Sequence, residues 1–311
     1  MSDLILHHYA GSPFSEKIRL IFGFKGLAWR GVTVPIAMPK PDVVALTGGY
    51  RRTPFLQIGA DVYNDTALIA RVLERLQPTP ALYPREAGGA AQMLAQWADT
   101  ALFWLAIPYA LQPASAPYLI EGATPELLKG FAADRAAMNP GFRRLGLADL
   151  TAQLQTCLGW LEAQLGDGRA FLLGSTASIA DFSAAHAVWF VRRAVPVAGV
   201  LAPFGQLAAW YERVAAFGHG EAAPMEASEA LAIALTEGAA GRFAASQVEP
   251  GLGFEAGARV TVNATDYGCD LVPGRLVGLS ADEVVIERDD ERAGTVHVHF
   301  PRIGFQLKAA A

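Results

Sequence analysis

Ser12 followed by Pro13-Phe14-Ser15, an isolated Thr53-Pro54 step and the pair Asp65-Thr66 are the residues of this 311-residue chain whose types and spacing could do chemistry. Ser12 and Asp65 each precede an amphipathic run, so each marks the start of a helix. The first turn of a helix presents N–H groups without intrahelical partners and the positive end of the peptide dipole. Such an end suits a thiolate or a carboxylate. The same residues also make ordinary N-caps, and a proline at the first helical position is common. Thr53-Pro54 is either a cis-proline turn or a proline opening an edge strand.

These residues must be positioned by the elements around them. Residues 1–80 alternate short strands with helices, the pattern of a small α/β domain. Residues 4–9 read as a strand, 15–25 as a helix ended by Gly26, and 29–34 as a second strand. A loop then carries Pro35, Pro39 and Pro41. Residues 55–58 and 61–63 form a hairpin across Gly59-Ala60, and 66–76 a helix broken by Pro78 and Pro80.

From 90 to 240 the spacing of Ala, Leu, Trp and Phe predicts helix throughout, over 90–112, 124–138, 143–166, 178–195, 204–217 and 226–240. Ser178 and Asp181 make a capping box ahead of an apolar run, a structural device with no catalytic role. His186 reads as a core histidine. After 250 the pattern changes again, to five short β-rich runs divided by Gly and Asp turns. Residues 250–311 are therefore expected to form an independent, small all-β, barrel-like module. His297 and His299 alternate on one strand and could join a metal site with Asp266 or Asp270. No third ligand has a suitable spacing, so no metal is expected.

Composition narrows the function classes. A net charge of -5 argues against nucleic acid or an anionic membrane as partner. No apolar run approaches the roughly 20 residues that span a bilayer, and no basic-then-apolar leader is visible. Cys157 and Cys269 lie far apart without metal spacing, which fits a reducing compartment, and the expected location is the cytoplasm. Hydrophobic residues make up 52% and charged ones 18%, with a mean hydropathy of +0.25, so a homodimer interface is expected to use part of the apolar supply.

The ordered set Ser12-Pro13-Phe14-Ser15, Thr53-Pro54, Asp65-Thr66 and Leu172 to Asp181 resembles the serine-type, bacterial-like cytosolic glutathione transferases over residues 1–240. The resemblance does not extend to 250–311. It implies a thioredoxin-like N-terminal domain at 1–80 and an all-helical domain at 90–240. It implies glutathione as co-substrate, with Ser12, or Ser15 in its place, stabilising the thiolate. A serine at 12 disfavours the cysteine-type branch, because serine cannot form a mixed disulfide. Thr53 would pair through its backbone with the cysteinyl unit ahead of cis-Pro54. Thr66 and its first-turn N–H groups would hold the γ-glutamyl carboxylate and Asp65 the amino group. Arg52 and Lys40 could reach the glycine carboxylate, although both fit equally as solvated charges. A small hydrophobic electrophile would lie against Phe14, Trp104 and Tyr109, with Trp97 and Phe103 on the same helices. The alternative is a catalytically silent scaffold of this fold that binds a protein partner.

Overall fold

The computed structural model describes residues 3–138 and 145–310. The first domain runs β1 (Ile5–His8), α1 (Pro13–Lys25), β2 (Ala28–Thr33), α2 (Pro41–Thr47), β3 (Phe55–Ile58), β4 (Asp61–Asn64) and α3 (Thr66–Leu76). β1 is parallel to β2 and antiparallel to β3, which is antiparallel to β4. This is the thioredoxin-like order. α1 starts with Pro13 behind its N-cap Ser12 and ends at Gly26, whose φ of 61° supplies the left-handed cap that a glycine adopts without strain. α2, which follows the proline-rich loop, left no periodic signal in the sequence.

The helical domain comprises α4 (Ala90–Trp97), a π-type turn over Ala98–Leu102, α5 (Phe103–Ala110), α6 (Ala116–Leu119), α7 (Pro125–Met138), α8 (Leu147–Leu165), α9 (Ile179–Arg193) and α10 (Gly205–Ala215). α9 is buried nearly all round and packs on α1, α4 and α5. At its start the Asp181 carboxylate accepts from the Ser178 N–H at 2.8 Å, the Leu172 N–H at 2.8 Å and the Trp210 indole N–H at 2.8 Å. A fully buried carboxylate is tolerable only with that many donors.

Two elements depart from the expectation of helix up to 240. β5 (Glu221–Pro224) returns to the first domain and lies parallel to the outer edge of β2. α11 (Ala227–Ala239) leaves the helical bundle and packs on α2 and on β9 of the last module. A Cβ at Gly238 would sit 2.1 Å from the Thr295 carbonyl oxygen, so glycine permits this close approach.

β6 (Arg259–Ala264), β7 (Val272–Leu279), β8 (Glu283–Asp290), β9 (Gly294–Pro301) and β10 (Phe305–Ala309) form the additional C-terminal sheet. β6 to β9 run as an antiparallel meander, and β10 crosses back to β6. Phe300 and Phe305 still touch at 5.6 Å, so the sheet curls barrel-like round its apolar face.

The module is not independent as the sequence pattern suggests. β9 pairs parallel with β4 over Asp61↔His297, Val62↔Val298 and Tyr63↔His299, giving one ten-stranded sheet. Phe55 and Val62 of the first domain and Val43 and Leu46 of α2 share a single apolar core with Val260, Ile286 and Phe300. No short-range signal in a sequence announces a pairing of residues more than 200 positions apart.

Ionic contacts close this seam. His299 bridges Glu283 (2.7 Å) and Asp61 (2.8 Å), and Asp61 also accepts from the Ala244 N–H at 2.7 Å. His297 faces Glu287 at 3.4 Å under the stacked ring of Phe243. The paired histidines thus meet carboxylates of their own seam, while Asp266 and Asp270 are held by Arg52 and Arg51. Burial disfavours charge on His299, but Asp61 and Glu283 outweigh it and raise its pKa; His297 is shifted down by burial.

A raised folded-state pKa contributes stability that is complete below the unfolded value of about 6.5 and is lost as pH rises through the folded value. From about pH 6.5 to 9, wild type should therefore lose more stability than His299→Gln, read by thermal melts at each pH. Parallel curves would show that the seam takes up no proton.

Candidate active site

One cleft of about 2070 Å³ opens between the first domain, the helical domain and the C-terminal sheet. Ser12 lines it from the N-terminus of α1. Its Oγ accepts the Ser15 N–H at 3.1 Å and donates a long 3.5 Å hydrogen bond to the Thr53 carbonyl oxygen. The hydroxyl proton is thus aimed at the Thr53-Pro54 turn by a weak bond, whose peptide is cis. Ser15 does not line the cleft; its buried Oγ has no hydrogen-bond partner among the described residues.

Thr53, Asp65 and Thr66 line the same cleft. Asp65 caps α3, its Oδ1 accepting the Ala67 N–H at 2.8 Å. With φ of 74° it is the one non-glycine residue in the left-handed region among the described residues. Such a conformation costs on the order of 1–3 kcal/mol and persists where its surroundings over-determine it. Burial raises the Asp65 pKa, against the Ala67 N–H and the charges of Arg52 and Lys17. Beside the Asp65 main chain stands the buried hydroxyl of Tyr50, whose ring packs on Phe300 and Phe305. The C-terminal sheet therefore buttresses the strained residue.

The two cations read as possible solvated charges are not solvated. Lys40 is 2% exposed, with Nζ 3.3 Å from the Arg51 carbonyl oxygen and 3.5 Å from Thr53 Oγ1. Burial, helped by Arg135 and Arg51 and opposed by Asp134, lowers its pKa to about 8. No carboxylate pairs with it among the described residues. Arg52 is committed to Asp266 at 2.6 Å and to the Tyr267 carbonyl oxygen.

Of the aromatic candidates, Phe14, Phe103 and Trp104 line the cleft and Tyr109 and Trp97 do not. Tyr109 turns away and donates to the Val197 carbonyl oxygen at 3.3 Å. Five residues beyond Trp104 it lies about 140° round the helix, at about 100° per residue. Trp97 lies before the π-type turn, which shifts the helix register, and its ring meets Trp160.

A buried cluster, absent from the sequence reading, lies under Thr66. Lys17, fully buried on α1, donates from Nζ to Asp99 Oδ2 at 2.6 Å and to Thr66 Oγ1 at 3.2 Å. Asp99, in the π-type turn, also meets His186 at 3.1 Å and the Ser183 hydroxyl at 3.2 Å. Burial works against the Asp99 charge, but Lys17 and His186 overcome it and hold its pKa below the usual range. His186, expected as a satisfied core residue, is part of this network. The available sequence signal was a lysine on the buried face of α1, and it named no partner.

Residues 6–81 match the glutathione S-transferase N-terminal domain and residues 146–213 the glutathione S-transferase C-terminal domain. A GST-like protein from Pseudomonas syringae is 40% identical over 100% of both chains, with a TM-score of 0.80. The chain belongs to the glutathione S-transferase superfamily.

Two other similar structures share the fold alone. A glutathione S-transferase from Rhodospirillum rubrum is 19% identical, covers 68% of this chain and 87% of its own, and has a TM-score of 0.52. A β-etherase from Sphingobium is 18% identical over 70% of this chain and 96% of its own, also with a TM-score of 0.52. Among curated protein sequences none matches the chain. The full-length match to the Pseudomonas protein takes in the C-terminal sheet as well as the transferase domains. Among the described residues no helix is long and apolar enough to cross a membrane.

The Lys17–Asp99 pair ties the first domain to the helical domain of this transferase-like chain at the cleft floor. Lys17→Met should leave Asp99 buried without the Lys17 charge, held by the hydrogen bonds of His186 and Ser183, and cost about 3 kcal/mol of stability. Urea unfolding measures it; a loss under about 1 kcal/mol would show that His186 alone suffices.

Proposed function

We propose that the protein is a glutathione-dependent transferase acting on a small hydrophobic electrophile. The observation that carries this reading is the convergence of Ser12, the Thr53-Pro54 turn and the Asp65-Thr66 helix start on one cleft with an aromatic wall. Glutathione would lie with its γ-glutamyl carboxylate at the first turn of α3 and the Thr66 hydroxyl, and its amino group at Asp65. Its cysteinyl main chain would pair with Thr53. The glycine carboxylate would meet Lys40, a buried cation with room for a counter-ion. Arg52 would act beside it through its fixed pairing with Asp266.

The sulfur would then sit at the α1 N-terminus. There the Ser12 hydroxyl exchanges its long bond to the Thr53 carbonyl for a charge-assisted one to the thiolate. A thiol of ordinary pKa about 8.5 is a few per cent ionised at pH 7, and lowering it by about two units makes the thiolate dominant. Proximity of the bound electrophile supplies the rest. Ser12, which lines the cleft, fits this role better than Ser15, which does not.

Ser12→Ala should lower turnover about ten- to a hundredfold, the worth of one hydrogen bond to a charged group, with little change in glutathione affinity. Asp65→Asn, which keeps the cap, should mainly weaken affinity, by about tenfold. Calorimetry with glutathione and steady-state kinetics separate the two. No glutathione binding at millimolar concentration would leave the silent scaffold as the reading.

Lys40 adds a pH dependence. A carboxylate bound beside it raises its pKa, so binding above pH 8 requires proton uptake. Affinity for S-methylglutathione should fall about fivefold or more between pH 7 and pH 9, and Lys40→Met should flatten that slope.

We also propose a homodimer, the first domain of one subunit packing on the helical domain of the other. Met93 at 69% and Trp160 at 60% exposure are large apolar side chains left at the surface. Light scattering should give twice the 33.0 kDa chain mass; the monomer mass at micromolar concentration would refute it.

A further inference from the structure

The segment 265–271, between β6 and β7, crosses from the C-terminal sheet to the cleft and is anchored on both other domains. The Gly268 N–H donates to the Met138 carbonyl oxygen at the end of α7 at 2.8 Å. Arg51 Nε donates to Asp270 at 2.9 Å, and Arg52 to Asp266 at 2.6 Å and to the Tyr267 carbonyl. A loop held at four points on two domains is a fixed wall.

Its Tyr267 side chain projects into the cleft. The ring meets Trp104 edge to face at 5.2 Å, and Arg52 lies over it at 5.7 Å. Phe14 and Phe103, at 4.6 Å from each other, continue the aromatic lining next to Ser12. The Arg135 guanidinium, stacked on Phe131 at 4.7 Å, stands beside the Tyr267 hydroxyl.

We propose that Tyr267 is a specificity-determining residue of this cleft and selects planar aromatic electrophiles that carry an acceptor oxygen. The inference rests on the transferase reading and deepens it. Two ring pairs give flat surfaces that favour a planar π system over an aliphatic chain. Burial, against the neighbouring Arg135, keeps the Tyr267 phenol protonated at neutral pH, so its O–H is a donor. A nitro, carbonyl or ether oxygen on the bound ring is the complementary acceptor. With chlorodinitrobenzene as probe, the thiolate sulfur forms the new bond to the ring carbon and chloride leaves with the electron pair of the broken bond. The nitro oxygens carry the negative charge in between, where the Tyr267 O–H strengthens its hydrogen bond.

Wild type, Tyr267→Phe and Tyr267→Ala are compared with chlorodinitrobenzene and with iodomethane at saturating glutathione. Tyr267→Phe should lower kcat/KM for the aromatic probe about fivefold and Tyr267→Ala about tenfold or more. Iodomethane turnover and glutathione affinity by calorimetry should change less than about twofold in both variants. Equal losses for the two electrophiles, or none for the aromatic one, would overturn the proposal. Tyr267→Phe keeps the ring that packs on Trp104, so its result stands even if Tyr267→Ala unfolds. If wild type binds no glutathione, the transferase reading fails while the aromatic site is still decided, by fluorescence titration with anilinonaphthalene sulfonate. Weaker binding in both Tyr267 variants supports the site, and unchanged affinity overturns it.

Discussion

The pairing of β9 on the outer edge of β4 is the constraint on which the rest of this molecule depends. β4 ends at Asn64, one residue before Asp65, so whatever fixes β4 also fixes the start of α3. An uncovered edge strand offers a row of unpaired N–H and C=O groups. Here that edge is taken by β9, and the seam is closed by His299 between Asp61 and Glu283. Because β8 and β7 follow β9 in the sheet, the same pairing delivers the β6–β7 connection to the mouth of the cleft. A module that reads as an appendage in the sequence is thereby a wall of the site.

Strain and buried charge accumulate on the other side of β4. Asp65 holds a left-handed backbone between the Tyr50 hydroxyl on one side and the Lys17, Thr66 and Asp99 cluster on the other. Neither would be tolerated alone. A buried lysine without partners loses its charge, and a lone strained aspartate would relax. Together they fix the direction of the α3 N-terminus, whose first-turn N–H groups would hold an anion. This is a costly arrangement in stability, and it is concentrated where a glutathione-dependent activity would use it.

The two kinds of cation near the cleft have different fates. Arg51 and Arg52, with planar guanidinium groups, are each tied to acidic residues of the 265–271 segment. Among the described residues Lys40 has carbonyl and hydroxyl contacts, and its pKa is lowered. The arginines therefore build the wall, while Lys40 lines the cleft with no carboxylate partner among the described residues.

Local patterns determined much of this. The helices of the first domain other than α2, the capping box at Ser178 and Asp181, and the five C-terminal strands are each set by periodicity, turns and caps within a dozen residues. So are the helix starts at Ser12 and Asp65, because a cap is chosen by its immediate neighbours. What needed the tertiary structure were relations between distant positions. The return of β5 to the edge of β2, the β4–β9 pairing, and the partners of Lys17 and Arg52 span up to more than two hundred residues. Tyr109 and Trp97 fell outside the cleft because a π-type turn and the helix phase, rather than aromatic character, decide which side chains face it. Tyr267 had no local mark at all, since a tyrosine in a turn acquires a role only when another domain's tryptophan is brought against it. Propensity and capping act along the chain and are written there. Edge pairing, charge burial and cleft lining act across it, and only the folded packing decides them.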